Sequence, residues 1–432
     1  MKKKVGMVSL GCAKNWVDSE QILGMLQDSD YEIVTHPEDA DAIIVNTCGF
    51  IESAKEESIQ TILEMANFHK KLIVTGCLAE RYLDDLKREL PEVDLFVPIR
   101  DYPRFPILWK ELWEEGTLCD YSYRHRLLGT PSFTAYLKIS EGCNNCCTYC
   151  AIPLIRGSFQ SRPYDEILWE ANHLAEQGVK ELVVISQDTT RYGSDSTPKR
   201  TICDLLRDLL KIPNIEYIRL LYLYPDEIED DLLQLIHDEP RLTPYFDLPI
   251  QHASSIILQA MHRRGDEKFL RDLIENRIRK IVPNAILRTT IIVGFPGETE
   301  EDFATLLRFI EEMQFDHLGA FLYSKEEGTA SYDYPNQVPL KVKKERYQRL
   351  MKLQKKISYQ KNKKRIGSIM TGLVIQVDKK NQQYLLRSGF NAPDGIDGNI
   401  YFTSPHSLSL GDKVQVKITQ CYGYDLMGEL VE

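Results

Sequence analysis

Three cysteines, Cys143, Cys147 and Cys150, fall within eight residues of the segment EGCNNCCTYCAIPLIRG in a CxxxCxxC spacing. Thiols this close hold a metal centre or pair as disulfides. A disulfide hairpin belongs to oxidising compartments. A zinc knuckle takes CxxC pairs, usually matched by a second pair or by histidines, which this segment lacks. Three thiolates fit a cubane of iron and sulfide whose fourth iron is left free for a substrate, as a catalytic metal keeps one position open. A fourth cysteine in the loop, Cys146, makes an alternative CxxCxxxC register available.

Three more cysteines each close an apolar run in the first third of the chain: Cys12 after VGMVSLG, Cys48 after DAIIVNT and Cys77 after KLIVTG. A lone cysteine is ordinarily a small buried hydrophobe. Three at three strand exits point to a second cluster, because the carboxyl ends of parallel strands all open on one edge of an α/β sheet. Asn15, Asp18 and Glu20, with Asn46 and Thr47, could orient or cover such a site; Asp18 and Ser19 are expected mainly to start and solvate the following helix. Cys119, Cys203 and Cys421 have no partner at ligand spacing and read as structural or exposed thiols.

The elements that must carry these residues follow from the apolar rhythm. Residues 1–117 alternate short apolar runs with helical patterns, which predicts an open parallel α/β sheet. Residues 133–340 contain six strand-like runs, TAYLKIS, KELVVIS, EYIRLLYL, FDLPIQ, ILRTTIIV and HLGAFLYS, separated by helical patterns. This predicts a (β/α)6 partial TIM barrel. Chemistry in such barrels sits at the carboxyl ends of the strands, which singles out Gln187 and Asp188, Tyr224 and Pro225, Gln251 and His252, Gly294 to Thr299, and Ser324. In GFPGET, Gly294 and Gly297 let backbone amides approach an adenosyl or carboxylate group, with Glu298 beside them. Tyr149, between two candidate ligands, either stacks on an adenine or simply packs. His252 is expected to be a satisfied core histidine. Residues 341–365 form a basic helical linker, expected to be largely solvated but able to touch RNA phosphates. Residues 366–432 read as a small antiparallel β-barrel.

The chain has 432 residues, 43% of them hydrophobic, enough for about three domains. Its net charge of −11 is unevenly spread: residues 341–365 carry twelve Lys or Arg against Glu345 alone, and residues 366–432 five against seven acids. The remaining body is strongly acidic, which disfavours bare nucleic acid and favours a basic protein as partner. The start, MKKKVGMVSLGC, imitates a signal peptide, but its apolar run is too short. No stretch reaches the ~18 apolar residues of a membrane span. A cytoplasmic protein is expected, with no membrane partner.

The order of these parts resembles the radical S-adenosylmethionine methylthiotransferases over nearly the whole chain, the terminal barrel looking like a TRAM domain. SLGCAKNWVDSE, LYLYPDEI, LPIQHAS, RTTIIVGFPGETEEDF and YSKEEGT are most similar to the branch that modifies an aspartate of small-subunit ribosomal protein S twelve. The resemblance implies two 4Fe-4S clusters and S-adenosylmethionine as cofactors. It assigns Cys143, Cys147 and Cys150 to the radical cluster, and Cys12, Cys48 and Cys77 to an auxiliary one. It leaves Cys146 unassigned, and Ala13 and Trp16 are mild departures where relatives have proline and leucine. Tyr149, Gln187, Gln251, Gly294, Gly297 and Glu298 become the candidate S-adenosylmethionine contacts. The expected chemistry is removal of the β-hydrogen of the aspartate by a 5'-deoxyadenosyl radical and insertion of a methylthio group, with electrons from a flavodoxin or ferredoxin. The other readings are a transfer RNA adenosine methylthiotransferase and a non-catalytic iron-sulfur or RNA-binding scaffold.

Overall fold

The structure is a computed structural model and describes residues 2–113, 117–378 and 380–431. The first domain is built on β1 (Lys4–Ser9), β2 (Glu32–Val34), β3 (Ala42–Thr47), β4 (Lys71–Gly76) and β5 (Leu95–Pro98), in the spatial order β2-β1-β3-β4-β5. Every pairing is parallel. Its strands read as continuous apolar runs because both faces are covered: Ile44, Ile73 and Val97 pack with Met25 and Trp109 on one side, and Ile43, Val45 and Val74 with Ile62 on the other. The topology makes β1, β3 and β4 direct neighbours. Ser9 pairs with Asn46 and Thr47 with Gly76, so the three cysteine-bearing exits line up along one edge.

The second domain contains β6 (Thr134–Lys138), β7 (Ser140–Glu141), β8 (Gln160–Ser161), β9 (Glu181–Ile185), β10 (Tyr217–Leu220), β11 (Tyr245–Asp247), β12 (Ile286–Val293) and β13 (His317–Leu322). All six predicted barrel strands are present. They form two parallel halves, β6-β9-β10 and β11-β12-β13, joined where Ile218 bridges Leu242. β7 and β8 pair antiparallel and clip the base of the cysteine loop, which runs between them. Thr299 opens the helix Glu300–Met313 in a reciprocal capping box with Asp302, fixing where the GFPGET loop ends.

The basic segment forms the helix Leu340–Arg365, and it is not merely solvated. Leu350, Gln354, Ile357 and Ser358 make a buried face. Gln354 donates to the Phe315 carbonyl at 3.0 Å and Ser358 to that of Asp316 at 3.0 Å. Asp316 pairs with Lys361 at 2.8 Å and Arg365 at 2.5 Å. The sequence carries a partial apolar stripe here, Tyr347, Leu350, Met351, Leu353 and Ile357, of which Leu350 and Ile357 are fully buried; the polar half of the face lies at the i, i+4, i+8 positions among lysines that dominate the composition.

The last domain closes β14 (Ile369–Asp378), β15 (Gln383–Ser388), β16 (Ile400–Thr403), β17 (Lys413–Tyr422) and β18 (Asp425–Leu430) into a barrel in the order β14-β15-β16-β18-β17. It differs from the wholly antiparallel barrel expected: β16 and β18 pair parallel, which lets an odd number of strands close. The barrel is fastened to the second domain through Glu181, which reaches Arg219 at 3.2 Å and Arg387 at 2.6 Å, and through Arg219, which donates to the Ser388 carbonyl.

Candidate functional site

The loop after β7 carries the CxxxCxxC cysteines over the barrel mouth. Asn145 holds it to the exit of β9, donating to Asp188 at 2.7 Å. Thr148 holds it to the far side through the carbonyls of Ala260 and Met261. Cys147 Sγ lies 3.3 Å from the Tyr224 hydroxyl and 3.9 Å from Arg263. The Arg263 guanidinium is stacked over Tyr224 and donates to the Pro249 carbonyl. Cys143, Cys147 and Cys150 lie within one another's electrostatic reach, and burial raises the thiols of Cys143 and Cys150. Cys146 is turned away: its backbone takes φ 52°, and its exposed thiol contacts the Asn144 carbonyl.

The second triplet sits at the adjacent exits of β1, β3 and β4. The loops bearing it are packed tightly enough to demand glycine. A Cβ on Gly11, at φ 92°, would lie 3.0 Å from the Cys48 Cβ, and one on Gly76, at φ 91°, would lie 2.5 Å from the Thr47 carbonyl. Cys77 is buried, Cys48 half-buried and Cys12 exposed. Burial, reinforced by Cys77, pushes the Cys48 thiol up to about 12. Asn15 and Asn46 knit these loops: Asn15 donates to the carbonyls of Leu10 and Thr47, and Asn46 to the Asn15 carbonyl.

Both triplets offer thiols alone, the donor type iron-sulfur clusters require. Among the described residues no three His, Cys, Asp or Glu side chains converge as a single ion would need.

Between the triplets lies a buried charged network that sequence reasoning missed. Asp18, expected to start and solvate its helix, is fully buried and instead receives Lys138 at 2.5 Å and Arg156 at 2.7 Å. Ser19 is likewise buried, bonded to Ser9 and Asn46. Arg156 also touches Cys77 Sγ at 3.5 Å and Glu141 at 3.3 Å, so a single side chain spans from the second triplet to the residue two before Cys143. Burial alone would raise the Glu141 carboxyl, but Lys138 and Arg156 outweigh it and hold it at about 2. Lys138 inside the apolar strand TAYLKIS was the one available signal: a charge there needs a buried partner. Glu20 anchors the connecting segment through Arg126 at 2.6 Å.

The remaining candidates ring the same mouth. Gln187 donates to Glu141 at 2.7 Å while its buried carbonyl oxygen has no partner, and the same holds for the side-chain oxygen of Gln251. Two such orphaned acceptors suit the N–H groups of a ligand. Gly297 is open around its α-carbon, whereas Gly294 lies against the stem of Lys343. Glu298 is sealed: its carboxylate receives the Gly294 amide at 2.7 Å and Arg346 at 2.7 Å, so it braces the loop from within. His252 is fully buried and accepts from the Ser254 amide at 2.9 Å, but it is not the satisfied core histidine expected, because its Nε2 stands 3.6 Å from Glu298 without a hydrogen bond. Tyr149 packs against Ile257, Met261, Phe295 and Tyr323.

Residues 4–98 match the family model described as Uncharacterized protein family UPF0004, residues 137–310 that of the Radical SAM superfamily, and residues 366–431 that of the TRAM domain. The chain is 48% identical over 446 residues to the ribosomal protein uS12 methylthiotransferase RimO of Geobacter sulfurreducens, covering 100% of this chain and 99% of the relative. It is 47% identical over 433 residues to that of Aquifex aeolicus, covering 99% and 98%. Among solved structures it is similar to the radical S-adenosylmethionine methyltransferase TsrM of Kitasatospora setae, at TM-score 0.54 and 12% identity over 74% of this chain and 75% of that one. At that identity the likeness speaks for the fold.

Proposed function

Because the chain belongs to the ribosomal protein uS12 methylthiotransferase family, we propose that it inserts a methylthio group at the β-carbon of an aspartate of uS12, with Cys143, Cys147 and Cys150 holding the radical cluster and Cys12, Cys48 and Cys77 the auxiliary one. It is a radical S-adenosylmethionine enzyme. The observation that supports the residue assignment is the junction at Arg156, which touches Cys77 of one all-thiol triplet and Glu141, two residues before the other. An enzyme that only cleaved S-adenosylmethionine would need one such triplet.

When bound, the clusters and S-adenosylmethionine supply one-electron bond cleavage and a methylated sulfur, chemistry a protein side chain cannot provide. The residues of this chain bind and orient. The oxygens of Gln187 and Gln251 accept from the cofactor and Tyr149 flanks its adenine, while the amides of Gly294 and Gly297, committed to the Glu298 carboxylate and the Asn336 carbonyl, fix the shape of the loop instead of facing the cofactor as the sequence suggested. Glu298 holds the GFPGET loop in shape, and the Asp18, Lys138, Glu141 and Arg156 network keeps the two domains at a fixed spacing and excludes water.

The exposed lysines of the helix Leu340–Arg365, among them Lys352 and Lys355, are suited to a weak secondary contact with RNA phosphates. A flavodoxin or ferredoxin is the proposed electron donor, and the cytoplasm, where thiols stay reduced, the proposed place of action. No helix among the described residues is long and apolar enough to cross a membrane. Mass spectrometry of uS12 and of transfer RNA from a deletion strain tests the substrate. The methylthio mark should vanish from the aspartate of uS12 and return with the gene; loss of a mark from transfer RNA alone would reassign the enzyme.

A further inference from the structure

The cations around the mouth of the half-barrel differ in one respect. Lys138 and Arg156 are each matched by Asp18 and Glu141. Lys14, the second residue after Cys12, is not. It is only 7% exposed, yet among the described residues its ammonium has no carboxylate partner: it donates to the Ser186 carbonyl at a long 3.3 Å and rests 3.2 Å over the centre of the Tyr222 ring. An ammonium carries three donors, of which this one uses one weakly. The two carboxylates near enough to act on it are already committed. Asp247 binds Arg288 at 2.9 Å and the Tyr222 amide at 3.0 Å, and Glu141 binds Lys138, Arg156 and Gln187. The Cys12 sulfur is the other negative group within its reach, so Lys14 is a buried cation without a carboxylate of its own, which is costly to keep, and its place explains what it waits for. Ser186 follows β9, Tyr222 follows β10 and Asp247 ends β11, so Lys14 hangs from the first domain directly over the strand ends where the substrate must enter.

We propose that Lys14 receives the side-chain carboxylate of the substrate and so sets the preference for aspartate over its amide. The proposal rests on the reading of uS12 aspartate as the target. The β-carbon is bonded directly to the carboxylate carbon, so a grip on the carboxylate places the reacting carbon within one bond length. An incoming carboxylate also completes the charge that the chain leaves open, whereas an amide or an adenine does not.

The test uses the full chain, anaerobically reconstituted, and two peptides that copy the target loop of uS12, one with the aspartate and one with asparagine there. Fluorescence anisotropy gives the dissociation constant of each. The wild type should bind the aspartate peptide at least tenfold more tightly. Lys14→Met should abolish that preference and Lys14→Arg should keep most of it, with iron content and thermal midpoint reporting on integrity. A Lys14→Met protein that keeps the preference, or a wild type that shows none, overturns the proposal. So does an equal loss of affinity for both peptides, which would mark Lys14 as a countercharge for the centre at Cys12. A wild type that binds neither peptide and leaves whole uS12 unmodified overturns the uS12 reading itself, and this proposal with it.

Discussion

Asp18 shows how much of the site is decided by single side chains that meet across more than a hundred residues of sequence. Replacing it with alanine leaves Lys138 and Arg156 sharing Glu141 as their one remaining carboxylate among the described residues, a loss of about 3 kcal/mol of stability, measurable by denaturant unfolding. Cys146→Ala should leave the iron content unchanged, because the thiol faces away from the triplet; a fall in iron would move the ligand from Cys147 to Cys146. The cysteines were legible because spacing and strand exits are local features. Asp18, Lys14 and Arg156 were not, since their partners come from distant elements. Asp18 two turns into a helix reads as a solvated acid until β6 delivers Lys138 against it.

At the scale of elements, the adjacency of β1, β3 and β4 is what turns three separate cysteines into one candidate site. If the triplets hold separate cubanes, replacing Cys12, Cys48 and Cys77 together should lower bound iron from about eight to about four per chain. An iron count that falls to near zero would mean that the sites are not independent. The helix Leu340–Arg365 has a role that its composition hid. Its first turns reach the cofactor loop through Lys343 over Gly294 and Arg346 on Glu298. Arg346→Met should therefore raise the KM for S-adenosylmethionine severalfold with iron content intact, since it leaves the buried Glu298 carboxylate short of its cation. The strand rhythm of all three domains was readable from apolar runs. The buried face of this helix was readable only in part: Leu350 and Ile357 belong to its partial apolar stripe, whereas the polar Gln354, Ser358 and Asn362 that complete the face are buried by tertiary docking.

Over the whole molecule, two buried carboxylates fasten the C-terminal barrel and the helix before it. Burial alone would raise Glu181 and Asp316, but Arg387 and Arg219 at the first, and Lys361 and Arg365 at the second, outweigh it and hold both below the ordinary carboxylate range. A carboxyl depressed in the folded state stabilises above its unfolded value and loses that contribution as pH falls through its native one. Docking should thus be complete at neutral pH and weaken only below about pH 4; limited proteolysis across pH should release the barrel only there. The central claim, that two thiol triplets on one network serve sulfur insertion into a protein, is met most directly by incubating the reconstituted chain with S-adenosylmethionine, reductant and uS12, then weighing the products. The expected result is uS12 carrying one methylthio group on an aspartate, together with 5'-deoxyadenosine. Formation of 5'-deoxyadenosine with uS12 left unmodified would contradict it.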